Sequence, residues 1–238
     1  AVEDLASRVG MEVPRDANNS LDTNKQSKNL YQLMELVNKF YREQLNDSKN
    51  LKSAYKYLQK RGINKETINE FELGYAPPGW DNLVPVLGKS DESKKNLLDI
   101  GVTIKNDRGG QYDRFRDRII FPIRDQRNRV IGFGGRVLNN DNPKYLNSPE
   151  TPIFQKGQEL YGLSQARKKL KDFHEIYIVE GYMDVIALAQ FDIRNVVASL
   201  GTAATHEHIE KMLRITNKLV FCFDGDTAGK KAAWRALE

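Results

Sequence analysis

The sequence predicts an α/β protein in which a mixed α+β amino-terminal part precedes a parallel sheet. Two observations carry this. From about residue 175, short apolar runs alternate with helical patterns: strand 176–179, helix 183–190, strand 195–199, helix 205–215, strand 218–223 and helix 228–237. That order is the signature of a parallel sheet with right-handed crossovers. Second, acidic residues follow directly on two of the runs, Glu180 after Ile176-Tyr177-Ile178-Val179 and Asp224 after Leu219-Val220-Phe221-Cys222-Phe223. The carboxylates therefore fall at the carboxyl ends of strands, the edge at which open α/β sheets bind ligands.

The elements ahead of the sheet are read in order. Residues 1–9 carry Val2, Leu5 and Val9 on one face of a short helix, and Arg15–Ser27, nearly free of large apolar groups, reads as a linker. Ser27 is a candidate N-cap for a firm helix in which Leu30, Leu33, Met34, Val37, Phe40, Tyr41 and Leu45 recur at spacings of three and four. A second helix covers 53–61, with Gly62 placed to end it, and a third covers 65–71. Ala76-Pro77-Pro78-Gly79-Trp80 is a rigid turn. Between Gln111 and Arg136, seven arginines stand against three aspartates, interleaved with Phe115, Ile119, Ile120, Phe121, Ile123, Val130, Ile131 and Phe133. Strands are expected at 118–123 and 129–133, joined by a turn at Asp125–Asn128. Gly132, Gly134 and Gly135 allow close backbone approach, and the segment 142–149 is a polar loop held by Pro143 and Pro149.

Composition sets limits on function. The 238 residues are 39% hydrophobic and 29% charged, with a formal net charge of +5, a mild basicity that suits a polyanionic partner. Cys222 is the single cysteine, so disulfides and a cysteine-based zinc site within the chain are excluded, and a reducing cytoplasm fits. No run of 18 apolar residues exists to span a membrane. Without an initiator Met, the chain reads as a fragment of a longer protein.

Three strand ends converge on one rim, bringing Glu180, then Ser199-Leu200-Gly201-Thr202, then Asp224 and Asp226. Carboxylates with no thiolates and few imidazoles suit a hard divalent cation, Mg²⁺ or Mn²⁺. The competing reading is that acids at strand-to-helix turns cap helices, and for Asp184, four residues past Glu180, it weighs nearly as much. The arginine-rich strands fit either a solvated sheet face or a nucleic-acid surface. Arg136 and Lys144, beside Gly-rich and Pro-braced loops, are the stronger ligand candidates. His206 and His208 do not share a helix face, and solvent exposure is expected for both. Tyr57 and Tyr182 read as packing residues.

Glu180-Gly181-Tyr182-Met183-Asp184 and Asp224-Gly225-Asp226-Thr227-Ala228-Gly229 resemble the first two acidic motifs of a Toprim domain, whose fold is Rossmann-like. With Tyr112–Arg116, Phe121–Arg124, Gly132–Val137, Asn142–Thr151 and Ser199–Thr202, the chain is similar to the bacterial DnaG-type primases over residues 28–238. The resemblance implies a core that makes short RNA primers on single-stranded DNA from ribonucleoside triphosphates. It implies the following division: 1–27, a trailing helix of a zinc domain plus linker; 28–156, a basic amino-terminal subdomain; 157–238, a Toprim subdomain incomplete at its carboxyl end. It implies catalytic roles for Glu180, Asp184, Asp224 and Asp226, with Glu180, Asp224 and Asp226 holding Mg²⁺ or Mn²⁺. Lys144, Tyr145, Asn147 and Lys156 are implied for nucleotide binding, and Arg61, Arg114, Arg116 and Arg136 for the nucleic acid. Two things the family has are not in this chain: a zinc ribbon, which would hold Zn²⁺, and a third acidic motif, without which the fragment's metal site is expected to be incomplete. A carboxyl-terminal domain that binds the replicative helicase is likewise expected outside the chain.

Other readings stay open on residues alone. Another Toprim enzyme, a topoisomerase or nuclease, shares the acids, although no nucleophilic tyrosine of a DNA-gate domain stands out. A haloacid dehalogenase-type phosphatase approximates Phe223–Thr227 but needs a long downstream sheet. A non-catalytic nucleic-acid module would use the acids merely as caps.

Overall fold

The computed structural model describes residues 17–47, 51–139, 141–201, 204–227, 229–230 and 234, and at 17–26 and 51–52 the backbone alone. The helix expected over 1–9 and Thr202 lie outside these residues, as does most of the helix expected over 228–237.

Helix α1 runs from Ala17 to Asn46. The linker expected over Arg15–Ser27 is thus helical from Ala17, and Ser27 lies inside the helix rather than capping it. The span contains neither glycine nor proline, so nothing in its backbone chemistry stops the helix. Leu30, Met34, Val37, Phe40, Tyr41 and Leu45 are buried at the expected spacing. A π-helical turn, Leu51–Tyr55, leads into α2, Lys56–Lys60, which ends at Gly62 with φ +76°. Helix α3, Lys65–Glu70, is capped by Asn64, whose Oδ1 accepts the Thr67 N–H at 2.8 Å.

Strands β1 (Gly74–Ala76), β4 (Arg118–Arg124), β5 (Val130–Val137) and β6 (Tyr145–Asn147) form an antiparallel sheet in the order β1-β4-β5-β6. Between β1 and β4 stand α4 (Val84–Leu87), α5 (Asp91–Asp99) and the hairpin β2–β3 (Thr103–Lys105, Gln111–Asp113), for which no sequence pattern was read. Helix α1 lies on β1 because Gly74 has no side chain: a Cβ there would come within 2.6 Å of Tyr41 Cβ. Every residue of β4 and β5 is buried. The solvated-face reading of the arginine-rich strands therefore fails, because these two strands are the centre of the sheet and are covered on both faces. One face packs on α1 through Tyr41, Phe115 and Phe133. The other, through Phe121, meets Phe154, Tyr161 and Tyr182.

Strands β7 (Ile176–Val179), β8 (Val196–Ala198) and β9 (Leu219–Cys222) form the expected parallel sheet, in the order β8-β7-β9. Helix α6 (Leu163–Lys169) precedes it, and α7 (Tyr182–Gln190) and α8 (His206–Leu213) are its crossovers. Tyr182, the first residue of α7, stacks on Phe121 of β4 with centroids 5.4 Å apart and an interplanar angle of 23°. One aromatic cluster thereby fixes the antiparallel sheet against the carboxyl rim of the parallel one.

His208 corrects the sequence reading. It is fully buried on α8, while His206 is exposed as expected. The carbonyls of Lys156, Gly157 and Gln158 accept from His208 Nε2 at 3.0 Å, Thr205 Oγ1 at 2.7 Å and Lys211 Nζ at 2.6 Å, so α8 draws its imidazole onto this turn. A carbonyl can only accept, so Nε2 carries the proton and Nδ1 accepts the Thr205 N–H.

Candidate active site

The two sheets meet at a cleft of about 410 Å³, lined by Arg61, Arg136, Lys144, Tyr145 and Asn147 on one side and by Glu180, Asp184 and Asp224 on the other. Its cationic wall comes from the end of α2, from β5 and from the loop before β6. Its acidic wall comes from the ends of β7 and β9 and the first turn of α7.

Arg136 dominates the cationic wall. It is 4% exposed, and its Nε and Nη1 have no hydrogen-bond partner among the described residues. The guanidinium lies 5.2 Å from the Tyr57 ring centroid and 5.4 Å from that of Tyr145, and the Arg61 guanidinium lies 5.5 Å from the same Tyr57 centroid. Aromatic faces stabilise a cation without using its N–H groups, so the donors of Arg136 remain available to an anion. Tyr57, read from sequence as packing alone, is the brace shared by both arginines; its spacing four residues before Arg61 on a helix is the signal that could have shown it. Buried Arg118 supports the loop beneath Lys144 by donating from Nη1 to the Pro143 carbonyl at 2.9 Å.

On the acidic wall, Glu180 Oε1 accepts the Asp224 N–H at 2.8 Å, tying the ends of β7 and β9 together. Asp184 Oδ2 accepts the Gly181 N–H at 3.0 Å, the helix-start role weighed for it. Burial pushes the Asp184 carboxyl above the usual carboxylate range, and the charge of Asp224 adds to the rise while the Gly181 N–H opposes it. Like charges crowded in this way favour a bound cation.

Asp226 stands two residues beyond Asp224. It does not line the cleft, and its Oδ1 accepts the Gly229 N–H at 2.8 Å, the capping role that a strand-to-helix turn offers an acid. Among the described residues no three His, Cys, Asp or Glu side chains are grouped closely enough to hold an ion. Glu180 and Asp224 remain a hard-oxygen pair that fits Mg²⁺ or Mn²⁺ with most of its coordination left to water or a ligand.

Lys156 is also not in the cleft; its turn is docked on α8, and its N–H donates to Glu150 Oε1 at 3.1 Å. Arg114 and Arg116 lie apart from it as well. Half-buried Arg114 donates from Nε to the Asn147 carbonyl at 3.3 Å, and burial lowers its pKa. Arg116 donates to the Asp113 carbonyl and sits 4.3 Å over Trp80 and 5.5 Å over Tyr112. Trp80 is 63% exposed. Sequence reading placed it in a rigid turn without a role; a tryptophan held out by Pro77-Pro78-Gly79 was itself the signal. Cationic guanidinium beside an exposed indole is what single-stranded nucleic acid recognition uses.

Residues 40–167 match the family model described as DNA primase catalytic core, N-terminal domain, and residues 177–238 match one described as Toprim-like. The chain belongs to the DNA primase family. It is 55% identical over 242 aligned positions to the DNA primase of Pseudomonas aeruginosa, covering all of this chain and 36% of that protein. It is 52% identical to the DNA primase of Escherichia coli, covering all of this chain and 41% of that protein. A solved structure described as the DnaG primase catalytic domain bound to ssDNA superposes with a TM-score of 0.86 at 52% identity, over 90% of this chain and 67% of that one. The chain thus spans between about a third and two fifths of the length of these curated relatives, and the fold class expected from the sequence is the one observed.

Proposed function

We propose that the cleft is the nucleotidyl-transfer site of a primase: it joins ribonucleotides on a single-stranded DNA template and releases pyrophosphate. The observation that carries this reading is the two-sided cleft, with unpartnered N–H groups of buried Arg136 on one wall and the tied carboxylates Glu180 and Asp224 on the other. Arg61, Arg136 and Lys144 neutralise the triphosphate, where negative charge builds up in the transition state. Glu180 and Asp224 hold the divalent cation, Mg²⁺ or Mn²⁺, which when bound supplies electrostatic stabilisation of the attacking and leaving oxygens. Asp184 acts at one remove, by fixing the α7 start beside them. Arg114, Arg116 and Trp80 form a separate track for the template, a reading supported by the likeness to a relative bound to ssDNA. The contact with a replicative helicase and the Zn²⁺ site belong, in this reading, to segments beyond this chain. A cytoplasmic location at replication forks goes with the activity.

The test separates the two basic groups in the full-length parent protein. Lys144→Ala should raise the ribonucleotide KM about tenfold, the worth of one charge-assisted contact, and leave the single-strand Kd nearly unchanged. Arg116→Ala should do the reverse. Parallel losses in both quantities would mean one undivided surface and would overturn the assignment.

A further inference from the structure

Asn147 lines the cleft from β6, paired with Gly134 of β5, and its carboxamide is held at both ends. Its Nδ2 donates to the Leu200 carbonyl at 2.8 Å, and the Tyr182 hydroxyl donates to its Oδ1 at 2.7 Å. The orientation of the amide follows from chemistry. The Leu200 carbonyl has no hydrogen to give, so the nitrogen must face it and the oxygen must face Tyr182.

Tyr182 is in turn fixed. It is 4% exposed, stacked on Phe121 and edge-on to Tyr161 at 4.6 Å. Its ring lies on the backbone of Gly134, where a Cβ would come within 2.4 Å of it. Burial pushes its phenol well above the ordinary value, so it remains a donor throughout the physiological range. A carboxamide oxygen accepts two hydrogen bonds. Tyr182 takes one, and the other is left for a donor in the cleft. Among the lining residues Asn147 is the one carboxamide: Arg61, Arg136 and Lys144 only donate, Glu180 and Asp224 carry charge, and Tyr145 and Ser199 offer hydroxyls. A neutral acceptor repels phosphate and binds an O–H.

We propose that Tyr182 is a positioning residue for sugar selection, holding Asn147 Oδ1 as the acceptor for the 2′-hydroxyl of an incoming ribonucleotide. This rests on the nucleotidyl-transfer reading of the cleft. A 2′-deoxyribonucleotide leaves the oxygen without its second partner, whereas loss of the Tyr182 hydroxyl leaves the amide held at Nδ2 alone and weakens the distinction.

The experiment uses the full-length parent on a poly-dT template and compares kcat/KM for ATP and dATP. Tyr182→Phe keeps the ring and should lower the ribose preference about tenfold, chiefly through the ATP KM. Asn147→Ala should give the same loss, and the double variant should lose no more than either alone. An unchanged preference in a folded Tyr182→Phe protein, or additive losses in the double variant, would overturn the proposal while leaving the primase reading intact. If Tyr182→Phe melts far below the parent, Asn147→Ala decides: an unchanged preference in that variant refutes the role of the amide. Absence of any primer synthesis by the parent would overturn the primase reading and this proposal together.

Discussion

Arg136→Met in the full-length parent should weaken triphosphate binding without destabilising the fold. Two donors of Arg136 are buried and unpartnered among the described residues, and an unsatisfied buried donor costs about 1–3 kcal/mol. The guanidinium faces an open cleft, so the low end applies, about 2 kcal/mol for the pair. Against this, the contacts with Tyr57 and Tyr145 contribute about 0.5–1 kcal/mol each. Methionine keeps most of the buried stem, so the balance for stability is near zero or slightly favourable. Binding behaves differently. A hydrogen bond from a charged group to phosphate contributes about 1.5–3 kcal/mol, which corresponds to about 10- to 150-fold in Kd. Thermal melting and calorimetric titration with a ribonucleoside triphosphate in Mg²⁺ measure the two effects separately. A variant destabilised by more than about 2 kcal/mol with unchanged triphosphate affinity would refute the reasoning and make Arg136 a structural residue.

Trp80→Ala should weaken single-stranded DNA binding by about 1–3 kcal/mol and leave nucleotide KM unchanged; equal affinity for a single strand would remove the stacking role. His208 gives a pH dependence. Burial holds its folded pKa below the ordinary value, against the raising effect of the Lys156 and Glu159 backbone, with Lys211 lowering it and Glu207 raising it more weakly. The unfolded chain therefore binds the proton first: this contribution to stability is whole above about pH 6.5 and is lost as the pH falls below it. Melting of the parent should drop more steeply between about pH 7.5 and about pH 5.5 than that of His208→Gln, and identical slopes would clear His208 of the effect.

The parallel sheet was legible because its strands are short apolar runs, two of them followed directly by acids, and β7 falls on the expected residues, 176–179. The buried β4–β5 pair was legible as strands but not as core, since charge along a strand normally marks a solvated face. Here Arg118 donates to the Gly135 and Pro143 carbonyls, and Arg124 pairs with Glu35 and Glu72, so the charges are buried with partners. The extension of α1 back to Ala17 was not legible because its first ten residues offer almost no apolar period and Ser27 resembles an N-cap. Within the site, Glu180, Asp184, Asp224, Arg61, Arg136, Lys144, Tyr145 and Asn147 were all named from sequence and meet in one cleft. Lys156 and Asp226 do not line that cleft, and each has local backbone bonding that a motif does not display, a turn docked on α8 for one and a helix cap for the other. The Tyr182–Asn147 bond joins residues 35 apart and could be seen only in three dimensions.

The most direct test of the account is primer synthesis by the full-length parent and its Glu180→Gln variant on single-stranded DNA with labelled ribonucleotides, in Mg²⁺ or Mn²⁺. Glutamine keeps the oxygen that accepts the Asp224 N–H, so the fold is expected to stay intact while the carboxylate charge facing the cation is lost. The account predicts primers from the parent and none from the variant, with superimposable melting curves. Near-normal synthesis by Glu180→Gln would contradict the assignment of this carboxylate, and with it the acidic wall, to the chemistry.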